Sequence, residues 1–254
     1  MYSVFKADLH IHTCLSPCGD LSMVPSRIVL EAKVRQLDII GICDHNSSDN
    51  IKAVQKAGEK EGLMVLGGME ITSREEAHVL ALFDDQAETA EMQEIVSNSL
   101  EGENDEKAFG EQVIVDDRDR VVGINPKLLI GATSLSIGEI VRCIHSLGGL
   151  AIASHVDREM FSVTSQLGFI PDGIGFDALE LSPNYFRRTP ATDRPVRERV
   201  YKDFGYSGYP IVSFSDAHYP EDIGLSSTLF EMKERVFEEI CEALSGLDER
   251  TVKI

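Results

Sequence analysis

The sequence has no tryptophan, few cysteines and no long apolar run among its 254 residues. The five thiols (Cys14, Cys18, Cys43, Cys143, Cys241) are an odd number without framework spacing, which argues against a fold held by disulfides. No stretch approaches the roughly 18 apolar residues of a membrane span, so no membrane partner is expected. Lys6 and Asp8 stand where a secretory signal would carry its apolar stretch, and the expected location is cytoplasmic. Positive charge is scarce: 24 Lys and Arg against 43 Asp and Glu give a formal net charge of -19. That excess repels polyanions, and no basic stripe with interleaved aromatics offsets it, so the reading here is no long nucleic acid as partner.

What is present is ordinary globular composition, 43% hydrophobic and 26% charged, in a chain long enough for one barrel-sized domain. Short apolar runs alternate with amphipathic stretches, the pattern of βα units around a parallel sheet. The runs predict strands over Val4–His10, Asp38–Cys43, Met64–Ile71, His78–Phe83, Leu150–His155, Ala178–Leu181 and Ile211–Ser215. Helical spacing marks Pro25–Arg35, Asn50–Glu61, Ser136–Leu147, Thr192–Asp203 and Glu231–Leu244, with Ser136 and Glu139 forming a capping box. The whole of 1–254 reads as a single domain interrupted at 84–133. That insertion holds an acidic helical segment, Glu88–Leu100, and a β-hairpin over Gln112–Asn125. It is either a surface excursion or a lid or subunit contact.

Seven histidines are the feature that composition does not explain. His10 and His12 end the first strand on one side of it, roughly 6.6 Å apart along the chain, close enough to converge on one metal ion. The pattern repeats at other strand termini. The second run stops at Asp44-His45, the third at Glu70, the fifth at His155 and the seventh at Asp216-Ala217-His218, while His78 opens the fourth. In a barrel of parallel strands the carboxyl ends meet on one face, where catalytic groups gather. Only His145, on the Ser136–Leu147 helix, stands apart and reads as structural.

This ordered set resembles the PHP (polymerase and histidinol phosphatase) superfamily from the first strand to the seventh. The resemblance implies a distorted seven-stranded (β/α)7 TIM-like barrel and two or three divalent metal ions. Carried over by position, His10, His12, Glu70 and Asp216 hold the first ion. Glu70, bridging, holds the second with His78 and His155. His45 and His218 hold the third with Asp20, for which Cys18 is the rival. Asp8 and Asp44 read as acceptors that orient histidines, Glu180 as a supporting or structural residue, and Cys43 as core.

Imidazole and carboxylate suit zinc, manganese and iron alike. Three such ions would outweigh Asp20, Glu70 and Asp216 and make the pocket electropositive inside an acidic protein. The expected reaction is metal-dependent hydrolysis of a phosphoester of a small metabolite or nucleotide by a metal-activated hydroxide, with Glu70, Asp216 and His218 catalytic. Arg158 is the first candidate for the substrate phosphate, and Arg187 and Arg188 the second. The alternatives are a noncatalytic metal-binding module and a multinuclear amide or cyclic-amide hydrolase. Nothing in the pattern fixes the oligomeric state.

Overall fold

The computed structural model describes residues 1–171, 173–188, 196–204 and 208–254. In chain order these form β1 (Ser3–Ile11), α1 (Pro25–Val34), β2 (Ile39–Ile42), α2 (Ile51–Lys60), β3 (Met64–Thr72) and β4 (His78–Phe83). Next come α3 (Gln86–Ser99), α4 (Glu106–Phe109), β5 (Val113–Val115), β6 (Val121–Ile124), α5 (Ile137–Ser146), β7 (Leu150–Ala153) and α6 (Val163–Leu167). The chain ends with β8 (Ala178–Leu181), α7 (Pro183–Arg188), α8 (Val196–Phe204), β9 (Ile211–Ser213), β10 (Thr228–Met232), α9 (Phe237–Ser245) and β11 (Thr251–Lys253). The Thr192–Pro195 part of the helix expected over Thr192–Asp203 lies outside the described residues.

The architecture is a mixed α/β, nearly closed, barrel-like sheet. Its strands run β11-β10-β1-β2-β3-β4-β7-β8-β9. Seven of them are the expected ring, which closes where Ile11 bridges Ala217 and the His12 amide donates to the Ala217 carbonyl at 3.0 Å. Asp8 ties the same seam, its carboxylate accepting from the Ser215 and Gly224 amides at 2.9 Å each. It therefore fastens the ring and does not orient a histidine, and burial pushes its carboxyl up to about 6 against those hydrogen bonds. A Cβ on Gly41 would stand 2.5 Å from the Leu9 carbonyl oxygen, so glycine lets β2 approach β1 beside the register shift between Asp8 and Ile11.

Two features correct the sequence reading. First, β4 runs antiparallel to both β3 and β7. A strand buried at every position reads as the same apolar run in either direction. Second, β10 and β11 extend the sheet at β1, so the described sheet has nine strands and not seven. Thr228, Phe230 and Met232 are buried in alternation, a strand period that the helical spacing assigned to Glu231–Leu244 overran; α9 starts only at Phe237.

Among the described residues the three largest apolar clusters lie around the sheet. Leu9, Ile39, Leu66, Leu80, Ile152 and Phe214 pack with others in one cluster. A second joins β1 and β2 residues to α1 and α2, and a third joins β3, β4, β7 and β8 to α3 and α5. Helix α5 shows the logic: the Ser136–Glu139 capping box starts it, and Ile137, Ile140, Val141 and Ile144 form its buried face. Each such residue contributes about 1.5–3 kcal/mol at most. No helix among the described residues is long and apolar enough to cross a membrane.

The β10–α9–β11 unit is stapled by Arg250, whose nearly buried guanidinium donates to Glu239 at 2.8 and 2.7 Å and pairs with Glu242 at 2.6 Å. The Arg250 hydrogen bond is the main cause holding Glu239 down at about 2. A carboxylate depressed by folding stabilises above its ordinary value of 4.5 and loses that contribution as pH falls toward 2. We expect Glu239→Gln to flatten the fall of the urea midpoint across that window. Parallel curves for the variant and the parent would refute the assignment.

Candidate metal centre

The strands deliver the candidate ligands to one end of the barrel. His10 lies near the end of β1 and His12 just beyond it, Asp44 and His45 follow β2, and Glu70 lies near the end of β3. His155 follows β7, and Asp216 and His218 follow β9. Because β4 is reversed, its first residue, His78, arrives at that same end, facing Thr72 in the ladder. These side chains are buried except His218, which is 20% exposed.

Glu70 is the hub. One carboxylate oxygen lies 3.4 Å from His10 Nε2, 3.0 Å from His78 Nδ1 and 3.1 Å from His155 Nε2. The other lies 3.5 Å from His12 Nε2 and 3.2 Å from His45 Nδ1. Asp216 Oδ1 stands 3.3 Å from His10 Nε2 and 3.1 Å from His12 Nε2. Among the described residues three sets of convergent donor atoms result: His10, His12, Glu70 and Asp216; His45, Glu70 and His78; and His12, His45 and His218.

The donor chemistry fits divalent cations. His10 Nδ1 donates to Glu180 at 2.9 Å. His12 Nδ1 donates to the Ser16 hydroxyl at 2.9 Å, because that hydroxyl itself donates to Asp44 at 2.7 Å. Both neutral rings therefore present bare Nε2 lone pairs, and these face one another at 3.2 Å. His45 Nδ1 and His78 Nδ1 are buried beside carboxylate oxygens without a hydrogen bond. Burial disfavours a charged His10, yet Glu180, Asp216 and Glu70 outweigh it and hold its pKa well above the ordinary value; the carboxylates that would favour a proton on Nε2 equally favour a cation there in its place. Burial and the neighbouring His218 depress His12 to about 3, leaving it a neutral imidazole.

The supporting residues are clear in the structure. Glu180, in β8, grips His10 Nδ1 and also accepts from the His155 amide at 2.9 Å. That contact holds His155 at a φ of 29°, and Asp216 sits at 50°, both in the left-handed region that non-glycine residues seldom occupy. Asp44 reaches His12 only through Ser16 and also accepts from the Thr13 amide and hydroxyl. Ser16 carried no signal in the sequence, since an isolated loop serine looks the same whatever it binds. We expect Glu180→Gln to lower metal affinity about 10–100-fold, the usual cost of losing an outer partner of a ligand, with the unfolding midpoint of the metal-free protein little changed. Unaltered metal titration curves would remove Glu180 from this role.

Asp20 stands apart from the convergent atoms. Its carboxylate accepts from the Ser22 amide at 2.8 Å, while its own amide donates to the His218 carbonyl. Cys18 is exposed and is likewise absent from the three sets. Arg158 Nη2 lies 2.5 Å from Asp216 Oδ2, with its side chain 38% exposed. Arg187 and Arg188 part company: Arg188 lines a cavity with Arg158, whereas Arg187 lines another with Lys6 and Arg199. Residues of 84–133 pack on loops that carry candidate ligands. Val113 donates to the Cys14 carbonyl, and Asn46 donates to the Leu129 and Gly131 carbonyls. His145 pairs with Asp177, away from the centre.

The PHP domain family matches residues 8–165, and a PHP-associated family matches 206–246. No curated protein matches the chain. Among solved structures, the lesion-specific endonuclease Q of Pyrococcus furiosus superposes with a TM-score of 0.68 at 21% identity, covering 98% of this chain and 58% of that one. Endonuclease Q bound to a 27-mer duplex with an abasic lesion at its active site gives 0.67 at 20%, with the same coverage of each chain. A protein described as a metal-dependent phosphoesterase from Bifidobacterium adolescentis gives 0.54 at 19%, covering 84% of this chain and 87% of its own. This chain thus spans under two thirds of the endonuclease. The expected exclusion of long nucleic acid is corrected by these findings, because a protein of similar fold acts on duplex DNA. Net charge averages over a surface, whereas a substrate meets a local field.

Proposed function

We propose that this chain, which belongs to the PHP domain family, is a metal-dependent hydrolase that cleaves a phosphoester at the cluster around Glu70. His10, His12, Glu70 and Asp216 hold one divalent ion, and Glu70, His78 and His155 a second. His45 and His218 hold a third. Asp20 joins them only if its carboxylate leaves the turn with Ser22. Zinc, manganese and iron all suit these donors. When bound, the ions lower the pKa of water and stabilise charge building on the phosphoryl oxygens.

The observation that carries the reading is Arg158, a guanidinium fixed against Asp216 at the edge of the cluster. It presents further N–H donors to an oxyanion, with a planar fork suited to phosphate. His218 donates Nδ1–H to the Asp216 carbonyl at 2.9 Å, which leaves Nε2 free of a proton in the neutral ring, ready to ligate or accept one. Glu70 and Asp216 fix the relative positions of the imidazoles, so the residues need little rearrangement as charge develops.

The test is a panel of p-nitrophenyl phosphate, bis-p-nitrophenyl phosphate, an abasic duplex oligonucleotide and an anilide, each with zinc-, manganese- or iron-loaded protein. Cleavage of a phosphoester that a chelator abolishes is expected. Turnover of the anilide alone, or of none of the four, would overturn the reading.

A further inference from the structure

Beside the centre lies an open-mouthed cavity of about 290 Å³, lined by Arg158 and other residues of the β7–α6 loop, Ser182 and α7. Its volume is at the low end for ligand pockets, enough for one group of a substrate. Asp157 and Glu159 balance Arg158 and Arg188 in its lining, so it carries no net charge and does not favour a second anion. Asp157 is already spent, accepting from the Ser182 amide and hydroxyl at 2.6 and 2.7 Å. Asn184, Glu159 and Arg188 remain to offer both donors and acceptors.

The apolar part is Met160 and Phe161, which stay 66% and 41% exposed. Phe161 is held with unusual care for a loop residue. Its φ is 58°, its carbonyl accepts from the His78 amide at 2.8 Å, and its ring lies parallel to the His78 imidazole, 5.0 Å and 12° away. A flat wall is thus set in place by the same strand that supplies a proposed ligand. Fixed aromatic rings of this kind are stacking platforms.

We infer that this cavity receives the leaving group of the ester, and that it takes an uncharged planar ring with hydrogen-bonding edges, such as the base of a nucleoside. The inference rests on the phosphoester reading, which places the phosphate against the free donors of Arg158 at the edge of the cluster. A free nucleotide and a nucleotide turned out of a strand present the same chemistry to these residues.

Titration calorimetry of the metal-loaded protein with thymidine, ribose, a four-residue thymidine oligomer and inorganic phosphate tests this without turnover. Thymidine should bind at least about tenfold tighter than ribose, and Phe161→Ala should remove that margin while Phe161→Tyr keeps it. Asn184→Ala, away from the strand carrying His78, should weaken thymidine several-fold and leave inorganic phosphate unchanged. If the oligomer binds more tightly than thymidine with the same dependence on Phe161, the ring comes from a strand; if not, it comes from a free nucleoside. Equal binding of thymidine and ribose, or indifference to both Phe161→Ala and Asn184→Ala, would overturn the inference. Loss of phosphate binding or of phosphoester cleavage in the parent protein speaks instead against the reading on which it rests.

Discussion

Glu70→Gln should lower kcat/KM by about a thousandfold or more and leave the protein unable to retain its full complement of metal. Loss of an outer partner of a ligand typically costs 10–100-fold. Glu70 stands closer to the centre than any such partner, because five imidazole nitrogens lie within 3.5 Å of its two oxygens. Glutamine keeps the shape but removes the charge and one of two equivalent acceptors. A thousandfold loss is about 4 kcal/mol of lost transition-state stabilisation. Steady-state kinetics and elemental analysis of one preparation read both effects. A variant with full metal content and activity within about tenfold of the parent would take Glu70 out of the bridging position.

Metal removal should unfold the protein at a markedly lower temperature. The convergent donors are nearly all buried, so in the absence of a cation the folded state holds lone pairs and carboxylate oxygens against one another. An ion that binds only the folded state stabilises it by about 4 kcal/mol when free ion exceeds the dissociation constant a thousandfold. For a domain of this size that corresponds to roughly 8–16 °C in Tm. Calorimetry with and without a chelator measures it. His145→Ala is the control, expected to show the same chelator shift, since His145 pairs with Asp177 elsewhere. A midpoint unmoved by chelation, within about 1 °C, would sink the assignment.

The candidate ligands were legible because a buried strand prints an apolar run and a functional terminus interrupts it. Ile39–Ile42 followed by Asp44-His45 and Leu150–Ala153 followed by His155 show the rule. Direction was not legible. The six buried residues of β4 carry no alternation that separates an antiparallel strand from a parallel one, although its opening His78 marked the correct end. β10 was lost because Met232, Ile240 and Leu244 are all buried and fit a helical face, while the exposed Leu229 beside Phe230 shows the true period of two.

Contacts made through the backbone were least visible. Asp8 binds two amides distant in sequence, and Asp20 is drawn into a local turn that competes with ligation. The division between Arg187 and Arg188 follows from the helical turn of α7, which sends adjacent residues to different cavities. The nucleic-acid expectation failed for another reason: it took a whole-chain charge as a statement about one surface.

The reversed β4 also sets an order of assembly. Glu70 and His78 belong to one hairpin, joined by the tight turn in which the Ser73 amide donates to the Ala77 carbonyl at 2.9 Å. A hairpin of this kind forms in about 1–10 μs, before distant segments meet. The seam between Ile11 and Ala217 needs nearly the entire chain and must close late. The hub of the centre and one of its imidazoles are therefore positioned by a local contact, and the remaining donors are brought to them as the ring shuts. Substitutions in the Ser73–Ala77 turn should slow folding, and those at the seam should chiefly hasten unfolding.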